Sequence, residues 1–596
     1  MVRVADYIIQ RLVEEGIRHI FMITGRGILY LTDAVAKNTE IEGIATYHEQ
    51  GASYAAMAYA AATDGMSACL VSTGCAATNA VTAALCAYQD NLPVIFISGQ
   101  HMLTETTRYT HMPIRTFGSQ EADIVSIVES VTKYSAMLSE PSEAVCEMDR
   151  AVYFANEGRK GPVWIDIPLD IQNARIEVDA LKHFEEKASG TCVKTEELEL
   201  VARELQEARR PVLFIGGGVR SSGAVSEVKK LVERYKIPLV FSTSAADAYG
   251  SGNELSIGAV GSLGGSRAGN FAIQNADYIL AVGTKLCSQS IGRPEQFARN
   301  ARIVVVDIDE NEHTKQGAKI DRIIHADAKA FFCGLSGLDI TIDCRMWTDK
   351  CLHWKKIFAV SRETFIEELK KENRLDLYHF ADVLSDMISE QTVVITDAGL
   401  EELIIPATIR YKNDQRCLFP AAQGAMGYAI PAILGAHYAG KKEIVAVVGD
   451  GSFMMNMQEL QMIGTWHIPA KIFVINNNMY AVIRKRQKDL FRTRTIGNDP
   501  SDGVPAPDFK KVASCFDIDY SEINDIASLK KGIKKVLESD GPCICEVHCV
   551  EEQKYLHMSY AVGKNRRLVR RPIEDLSPFL ERELFKQEMI IEPVDE

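Results

Sequence analysis

The sequence predicts an α/β protein built from three doubly wound parallel-sheet domains, and three observations carry that reading. Short apolar runs alternate with helical patterns along the whole chain, the pattern of parallel sheets flanked by helices. Two charged stretches interrupt the alternation and divide the 596 residues into three segments of domain size. Glycines close several of the apolar runs, as at Gly216-Gly217-Gly218 and Gly449-Asp450-Gly451. The carboxyl ends of strands are where open α/β sheets bind ligands.

The first segment is expected over 1–172, with strand-like runs at 68–71, 94–97 and 163–167 before Pro168. A charged linker, 173–197, follows. The second segment, 198–340, runs from the apolar stretch 211–215 through 302–306. A charged, helical connector covers 341–374. The third segment, 375–550, carries strands at 393–395, 444–448 and 472–475. Residues 551–596 are charged and punctuated by proline, and read as an extended tail wrapped over a neighbour.

Composition narrows the function classes. The formal net charge of −14 has no basic face or tail to offset it, which argues against a nucleic-acid partner. The start of the chain lacks a signal-peptide pattern. The uncharged stretches 65–89 and 417–440 are broken by Gly or Pro and studded with polar residues, so buried turns and helices are expected there rather than membrane spans. Fourteen cysteines without metal-like spacing point to a reducing compartment, hence a cytoplasmic location. Cys543, Cys545 and Cys549 lie in a strand-like apolar run and are read as core residues.

The chemistry concentrates at two places. The run 444–448 ends in Gly449-Asp450-Gly451-Ser452, and the run 472–475 ends in Asn476-Asn477-Asn478. Either cluster alone is most often a tight turn. Together, with Asp450 and Asn477 27 positions apart and each after a buried strand, they put two hard oxygens at neighbouring strand ends. Such oxygens suit Mg²⁺ bridging to phosphates, and the glycines let the backbone approach a ligand closely. In the first segment, Glu49 of His48-Glu49-Gln50-Gly51-Ala52 opens a helix of small residues. A helix-start acid is favoured by the dipole, but this helix reads as buried, and a buried carboxylate is costly unless partnered.

These motifs resemble those of thiamine-diphosphate-dependent enzymes, of the acetolactate synthase large-subunit type. The resemblance spans nearly the whole chain. It implies side-chain ligands to Mg²⁺ from Asp450 and Asn477 and a backbone carbonyl from Met479. Gly449, Gly451, Ser452 and Val482 would also bind the cofactor. It implies that Glu49 is catalytic, donating a hydrogen bond to a ring nitrogen of the cofactor's aminopyrimidine. Thr73 and Asn79 would belong to the loop closing over the site, and Gln120 would face the reacting carbon from the partner subunit. Gly399 falls in the phosphate loop and Gly424 in the segment whose Met426 props the cofactor into its bent shape. Because the family's site lies between the first domain of one subunit and the third of another, a homodimer or homotetramer is implied.

In the middle segment, Gly216, Gly217, Gly218, Thr243, Gly283, Asp307 and Asp327 correspond to FAD or nucleotide positions. However, the family's Gly-Ala-Arg-Phe-Asp-Asp-Arg segment stands here as Gly283-Thr284-Lys285-Leu286-Cys287-Ser288-Gln289. FAD, another nucleotide and an empty domain all stay open. Other departures bear on the substrate. Arg486 occupies the position of a family tryptophan that selects the second keto acid, and Arg26 stands where a small residue is expected. Ser119 replaces a Phe, and Leu400-Glu401 replace the usual Gln-His of the phosphate loop. The implied reaction is decarboxylation of a 2-keto acid, pyruvate first, with transfer of the acyl unit to a carbonyl acceptor. Arg26 and Arg486 point to an anionic acceptor, since guanidinium pairs well with phosphate or carboxylate. A solvated charged helix face is the alternative for 484–486. The rival outcomes are acetyl transfer to a keto-sugar nucleotide, simple 2-keto acid decarboxylation, and a non-catalytic cofactor-binding scaffold.

Overall fold

A computed structural model describes residues 1–186, 193–563 and 565–594. Residues 187–192 of the expected linker, and 564, 595 and 596 of the expected tail, lie outside the described residues. The fold contains three six-stranded, all-parallel sheets. Their strands are, in chain order, β1 (His19–Met22), β2 (Glu42–Ala45), β3 (Ser67–Val71), β4 (Val94–Gln100), β5 (Tyr134–Met137) and β6 (Val163–Pro168), which form the first sheet. The second holds β7 (Pro211–Ile215), β8 (Leu239–Phe241), β9 (Ser256–Ala259), β10 (Tyr278–Val282), β11 (Arg302–Asp307) and β12 (Arg322–His325). The third holds β13 (Val393–Thr396), β14 (Arg416–Leu418), β15 (Ile444–Gly449), β16 (Ala470–Asn476), β17 (Asp519–Ile523) and β18 (Cys543–His548). Strands such as β4 and β7 are buried along their whole length, because helices cover both faces of a parallel sheet.

Strand order locates the crevices. The first sheet runs β2-β1-β3-β4-β6-β5 and the third runs β14-β13-β15-β16-β18-β17, the same winding. The second runs β9-β8-β7-β10-β11-β12, the order of dinucleotide-binding folds. The order therefore reverses between β1 and β3, between β7 and β10, and between β13 and β15. Each reversal leaves an open groove outside the carboxyl ends of the two strands.

Close helix packing joins the first and third sheets. The helix Glu49–Thr63 lies against the helix Ala429–Tyr438, and a Cβ placed on Gly435 would lie 2.1 Å from the Ala55 carbonyl oxygen. The run of alanines in the first helix and Gly435 in the second permit this approach. A cluster of charges then ties all three units together. Asp247, 4% exposed, accepts from Arg220 Nε at 3.3 Å, Arg416 Nε at 2.9 Å and the Cys417 amide at 3.0 Å. Both arginines also reach Asp64 of the first unit. Removing one member of a buried ion cluster leaves the others uncompensated. Asp247→Ala is expected to destabilise the protein by about 3–5 kcal/mol in urea unfolding at neutral pH. A loss below about 1 kcal/mol would mean that Asp64 takes over both arginines. Burial alone would raise the Asp247 carboxyl, but Arg220 and Arg416 outweigh it and hold it below its usual range. Its contribution is thus present above the unfolded-state pKa and lost as the pH falls through the lower folded value.

The helix Arg345–Ile357 of the 341–374 stretch is docked: Trp347 and Trp354 are buried, and Trp347 Nε1 donates to the Pro211 carbonyl at 3.0 Å. The tail packs on its own chain. Asn270 and Gln274 are fully buried and donate to the Ile573 carbonyl at 2.9 Å and to Glu574 at 2.6 Å. Glu588 accepts from Lys350, His353 and Trp354. Buried polar side chains need partners, and the tail supplies them to the helix Arg267–Gln274. Among the described residues no helix is long and apolar enough to cross a membrane.

Candidate active site

The third sheet presents its groove between β13 and β15. β15 ends at Gly449, and Asp450 opens the next helical turn with 5% exposure. Its carboxylate accepts from the Gly451 amide at 2.6 Å and from the Asn478 amide, beyond β16, at 2.7 Å. The two strand ends are therefore locked to each other through Asp450. Asn477 is 6% exposed, and its Oδ1 accepts from the Met479 amide at 3.2 Å. Burial pushes the Asp450 acid up to about 6, against the pull of the loop amides. Gly451 has to be glycine, since a Cβ there would lie 2.0 Å from the Tyr480 ring. Among the described residues no group of three or more His, Cys, Asp or Glu side chains could hold a metal. A cation at Asp450 would therefore draw on the Asn477 amide, backbone carbonyls such as that of Met479, and oxygens of a ligand. Val482 is half-buried in the following helix, Ala481–Phe491.

The other wall of this groove carries Gly399 (φ +86°) and Gly424 (φ +55°), both in the left-handed region that favours glycine. Met426 is half-buried. The Gly427 amide donates to Ser452 Oγ at 2.8 Å, and Ser452 Oγ donates to Asp397 Oδ2 at 2.6 Å. The other Asp397 oxygen is buried without a partner.

In the first sheet, Glu49 begins its helix after β2. Its Oε2 accepts from Asn79 Nδ2 at 2.9 Å. The helix behind it is buried as expected, but Glu49 itself is half-exposed, so the expected cost of a buried carboxylate does not arise within one chain. At the reversal between β1 and β3, Gly25 and Gly27 press on Ser72 and Thr73. The Thr73 hydroxyl is buried and unpartnered. Gln120 has φ +65° and is exposed, and its carbonyl lies against Gly74, where a Cβ would come within 2.1 Å. Arg26 is exposed at the start of the turn after β1.

The first and third units are tied together near these residues by side chains to which the sequence reading gave no role. Asn456 Nδ2 donates to Gln50 Oε1 at 3.0 Å and to the Gly427 carbonyl at 2.8 Å. Glu459, with no exposed surface, accepts from the Tyr47 and His48 amides at 3.1–3.2 Å. Burial pushes its acid up to about 7. The signal was an Asn and an acid within about ten residues of the strand end and its Gly-Asp-Gly. Asp397 carried the same signal, an acid and a glycine at a strand end.

The middle sheet has a cavity of about 650 Å³ at its own reversal, lined by Gly217, Gly218, Thr243, Gly283, Asp307 and Asp327 together with residues of the other two units. Gly216 serves packing instead: a Cβ there would lie 2.2 Å from the Gly283 carbonyl oxygen. Asp327 caps a helix by accepting from the Ala330 amide at 2.9 Å. Asp307 contacts His313 at 3.2 Å. Lys285 donates to the Gln89 carbonyl at 2.7 Å.

Comparison with known proteins adds three matches that follow the three sheets. Residues 2–126 match the thiamine pyrophosphate enzyme N-terminal TPP binding domain, 198–335 the central domain, and 397–547 the C-terminal TPP binding domain. Acetolactate synthase 1, chloroplastic, of Zea mays is 30% identical over 93% of this chain and 86% of its own length. The acetolactate synthase large subunit of Lactococcus lactis is 29% identical over 93% and 94%. The acetolactate synthase isozyme 1 large subunit of Escherichia coli is 28% identical over 95% and 97%.

Proposed function

Because this chain belongs to the thiamine pyrophosphate enzyme family, among relatives of the acetolactate synthase type, we propose that it is a thiamine-diphosphate-dependent carboligase. It releases carbon dioxide from a 2-keto acid, pyruvate first, and joins the remaining acyl unit to a carbonyl acceptor. The observation that carries this is the pairing of Asp450 and Asn477 at adjacent strand ends, in a groove whose glycines and unpartnered Asp397 oxygen leave room and polarity for a ligand. That donor set fits Mg²⁺, which prefers carboxylate and amide oxygens with phosphate completing its shell.

When bound, the cofactor supplies a carbon nucleophile and an electron sink for the departing carboxylate. The chain's own residues do the rest. Asp450 and Asn477 hold the ion. Met426 would support the cofactor, and Thr73 and Gln120 would flank its reacting end. Asn79 fixes Oε2 of Glu49, which leaves Oε1 to hold the proton shared with the aminopyrimidine. An assembly of two or four copies is part of this reading. Its support is that Gln120 is exposed and that Met112, Ile114 and Phe117 beside it are 44–48% exposed, an apolar surface that a second subunit would cover. The middle cavity suits a nucleotide by its strand order and its Asp307. FAD is the first to test, by the visible spectrum of the purified protein.

A second reading concerns the acceptor. Arg484 pairs with Asp499 at 2.8 Å, Lys485 with Asp489 at 2.9 Å and Lys488 with Glu552 at 2.6 Å. These pairs favour the solvated-face alternative for Arg484 and Lys485. Arg486 is exposed and has no carboxylate partner among the described residues. An anionic acceptor, such as a phosphorylated or nucleotide-linked keto-sugar, would find that guanidinium free.

Incubation with pyruvate, alone and with candidate acceptors, tests both readings. A ligated product is expected, and acetaldehyde as sole product would leave only a decarboxylase. Arg486→Met should raise the KM for an anionic acceptor by about 10-fold, the worth of one charge-assisted hydrogen bond, while KM for pyruvate stays put. Equal changes for a neutral acceptor would remove Arg486 from recognition.

A further inference from the structure

Between β2 and the helix Glu49–Thr63, the amides of Tyr47 and His48 find a partner in neither element. They donate instead to a side chain of the third unit. Glu459 Oε1 accepts from the Tyr47 amide at 3.2 Å and from the His48 amide at 3.1 Å, and Oε2 lies 3.2 Å from the Tyr47 amide. Glu459 has no exposed surface, and amides next to buried structure need an acceptor of this kind. His48 in turn caps the helix, its Nδ1 accepting from the Gln50 amide at 3.1 Å, so that Glu49 is the first helical residue.

The space around this carboxyl is tight. Gly51, in the first turn of the helix, faces it: a Cβ there would lie 2.5 Å from Glu459 Oε1. Alanine is the better helix former, so the glycine makes room for the carboxyl at some cost to the helix. Asn456, three positions before Glu459, holds the other side of the same turn through Gln50, at 3.0 Å, and the Gly427 carbonyl, at 2.8 Å. Residues 47, 48 and 50 are thus all anchored to one turn of the third unit. Between them, the Glu49 side chain carries a single bond, from Asn79. Its placement is therefore set by the backbone that Glu459 holds. This anchoring needs only an acceptor oxygen, which a carboxyl offers in either protonation state.

We propose that Glu459 is a positioning residue for Glu49: by holding the Tyr47 and His48 amides it fixes the backbone from which the Glu49 carboxyl meets the cofactor. This rests on the reading of the chain as a thiamine-diphosphate enzyme, and adds to it a residue to which that reading gives no part. The bonds that hold Asp450 come from the Gly451 and Asn478 amides, so the ion site does not depend on Glu459. What depends on it is the placement of one proton-holding group. A displacement of about 1 Å in such a group can cost about 100-fold in rate, whereas a tie that serves packing alone costs only stability.

The test uses the full chain and three readouts: the Kd for thiamine diphosphate in excess Mg²⁺, the rate of thiazolium proton exchange per bound cofactor, and amide hydrogen exchange over residues 44–54 of the cofactor-free protein by mass spectrometry. Glu459→Gln keeps an oxygen for both amides and is expected to stay within about 3-fold of the parent in all three. Glu459→Leu removes the acceptor, and Glu459→Asp withdraws it by one methylene. Both are expected to leave the Kd within about 3-fold, to slow thiazolium exchange by about 10- to 100-fold and to speed amide exchange over 44–54. Gly51→Ala, which displaces the carboxyl while favouring the helix, is expected to act in the same direction. The Asp and Gly51 variants carry the test if the Leu variant does not fold. In a Glu49→Gln background the Glu459 substitutions should slow exchange by less than about 3-fold further, because they act through Glu49. Faster amide exchange with thiazolium exchange unchanged would make Glu459 a packing residue and overturn the proposal. So would slower thiazolium exchange with the amides still protected, or an equal loss with and without Glu49. Each of these leaves the family reading standing. A parent protein that binds no thiamine diphosphate would overturn that reading and the proposal with it.

Discussion

Glu49→Gln is expected to lower the rate of carbon dioxide release from pyruvate by about 10²–10⁴-fold, the usual worth of a positioned acid–base group. Affinity for thiamine diphosphate should stay nearly unchanged. The substitution preserves size and the hydrogen bond to Asn79, which now meets an amide oxygen instead of Oε2. It removes the group that can hold and return a proton at Oε1. The split between rate and binding identifies the role. A purely structural Glu49, serving only as a negative charge at the start of the helix Glu49–Thr63, would cost stability and leave the rate per folded molecule intact. Two measurements settle it: turnover on pyruvate, and exchange of the thiazolium proton with deuterated water followed by NMR. Parent and variant proteins with the same exchange rate would end the catalytic assignment and leave a cofactor-binding scaffold in its place.

Asp450→Ala is expected to weaken Mg²⁺-dependent binding of thiamine diphosphate by at least about 100-fold, since it would remove the one charged side chain proposed to hold the ion. The carboxylate does two jobs: it also clamps the Asn478 amide at 2.7 Å, so some of the loss would come from loosening of the loop after β16. Asp450→Asn separates the contributions. It retains an acceptor for that amide but no charge, and should keep the fold while losing most of the metal dependence. Thermal shift gives an independent readout. A ligand at 100 times its Kd stabilises the folded protein by about 2.7 kcal/mol. The parent melting point should therefore rise with cofactor and Mg²⁺ together, and that of Asp450→Asn should not. A full shift in the variant would move the ion away from Asp450.

Much of this protein is legible along the chain because its sheets are parallel and covered on both faces. The strand runs at 94–97, 211–215 and 444–448 are then continuously apolar, and their ends are marked by the glycines that ligand approach requires. The resemblance to thiamine-diphosphate enzymes, and the motifs around Glu49, Asp450 and Asn477, need nothing beyond residue identity and spacing. The tail's contacts within its own chain were not legible in the sequence. The partners of Glu574 and Glu588, Gln274 and Lys350, lie more than two hundred positions away, and no local pattern announces them. Arg484, Lys485 and Arg486 look alike in the chain, yet only their neighbours show that the first two are already paired.

The sequence by itself determined the three-unit α/β plan, the family, and which residues are equipped for the chemistry, because all of these depend on residue type and short spacing. Only the tertiary structure decided that the first and third sheets share a winding, that their reversals set the grooves, and that Asn456 and Glu459 tie the first unit to the third. It alone placed the Glu401 carboxyl between the ends of β13 and β15. The reason is physical: burial and the company a charge keeps are properties of the folded neighbourhood, and the residues that create them are distant along the chain.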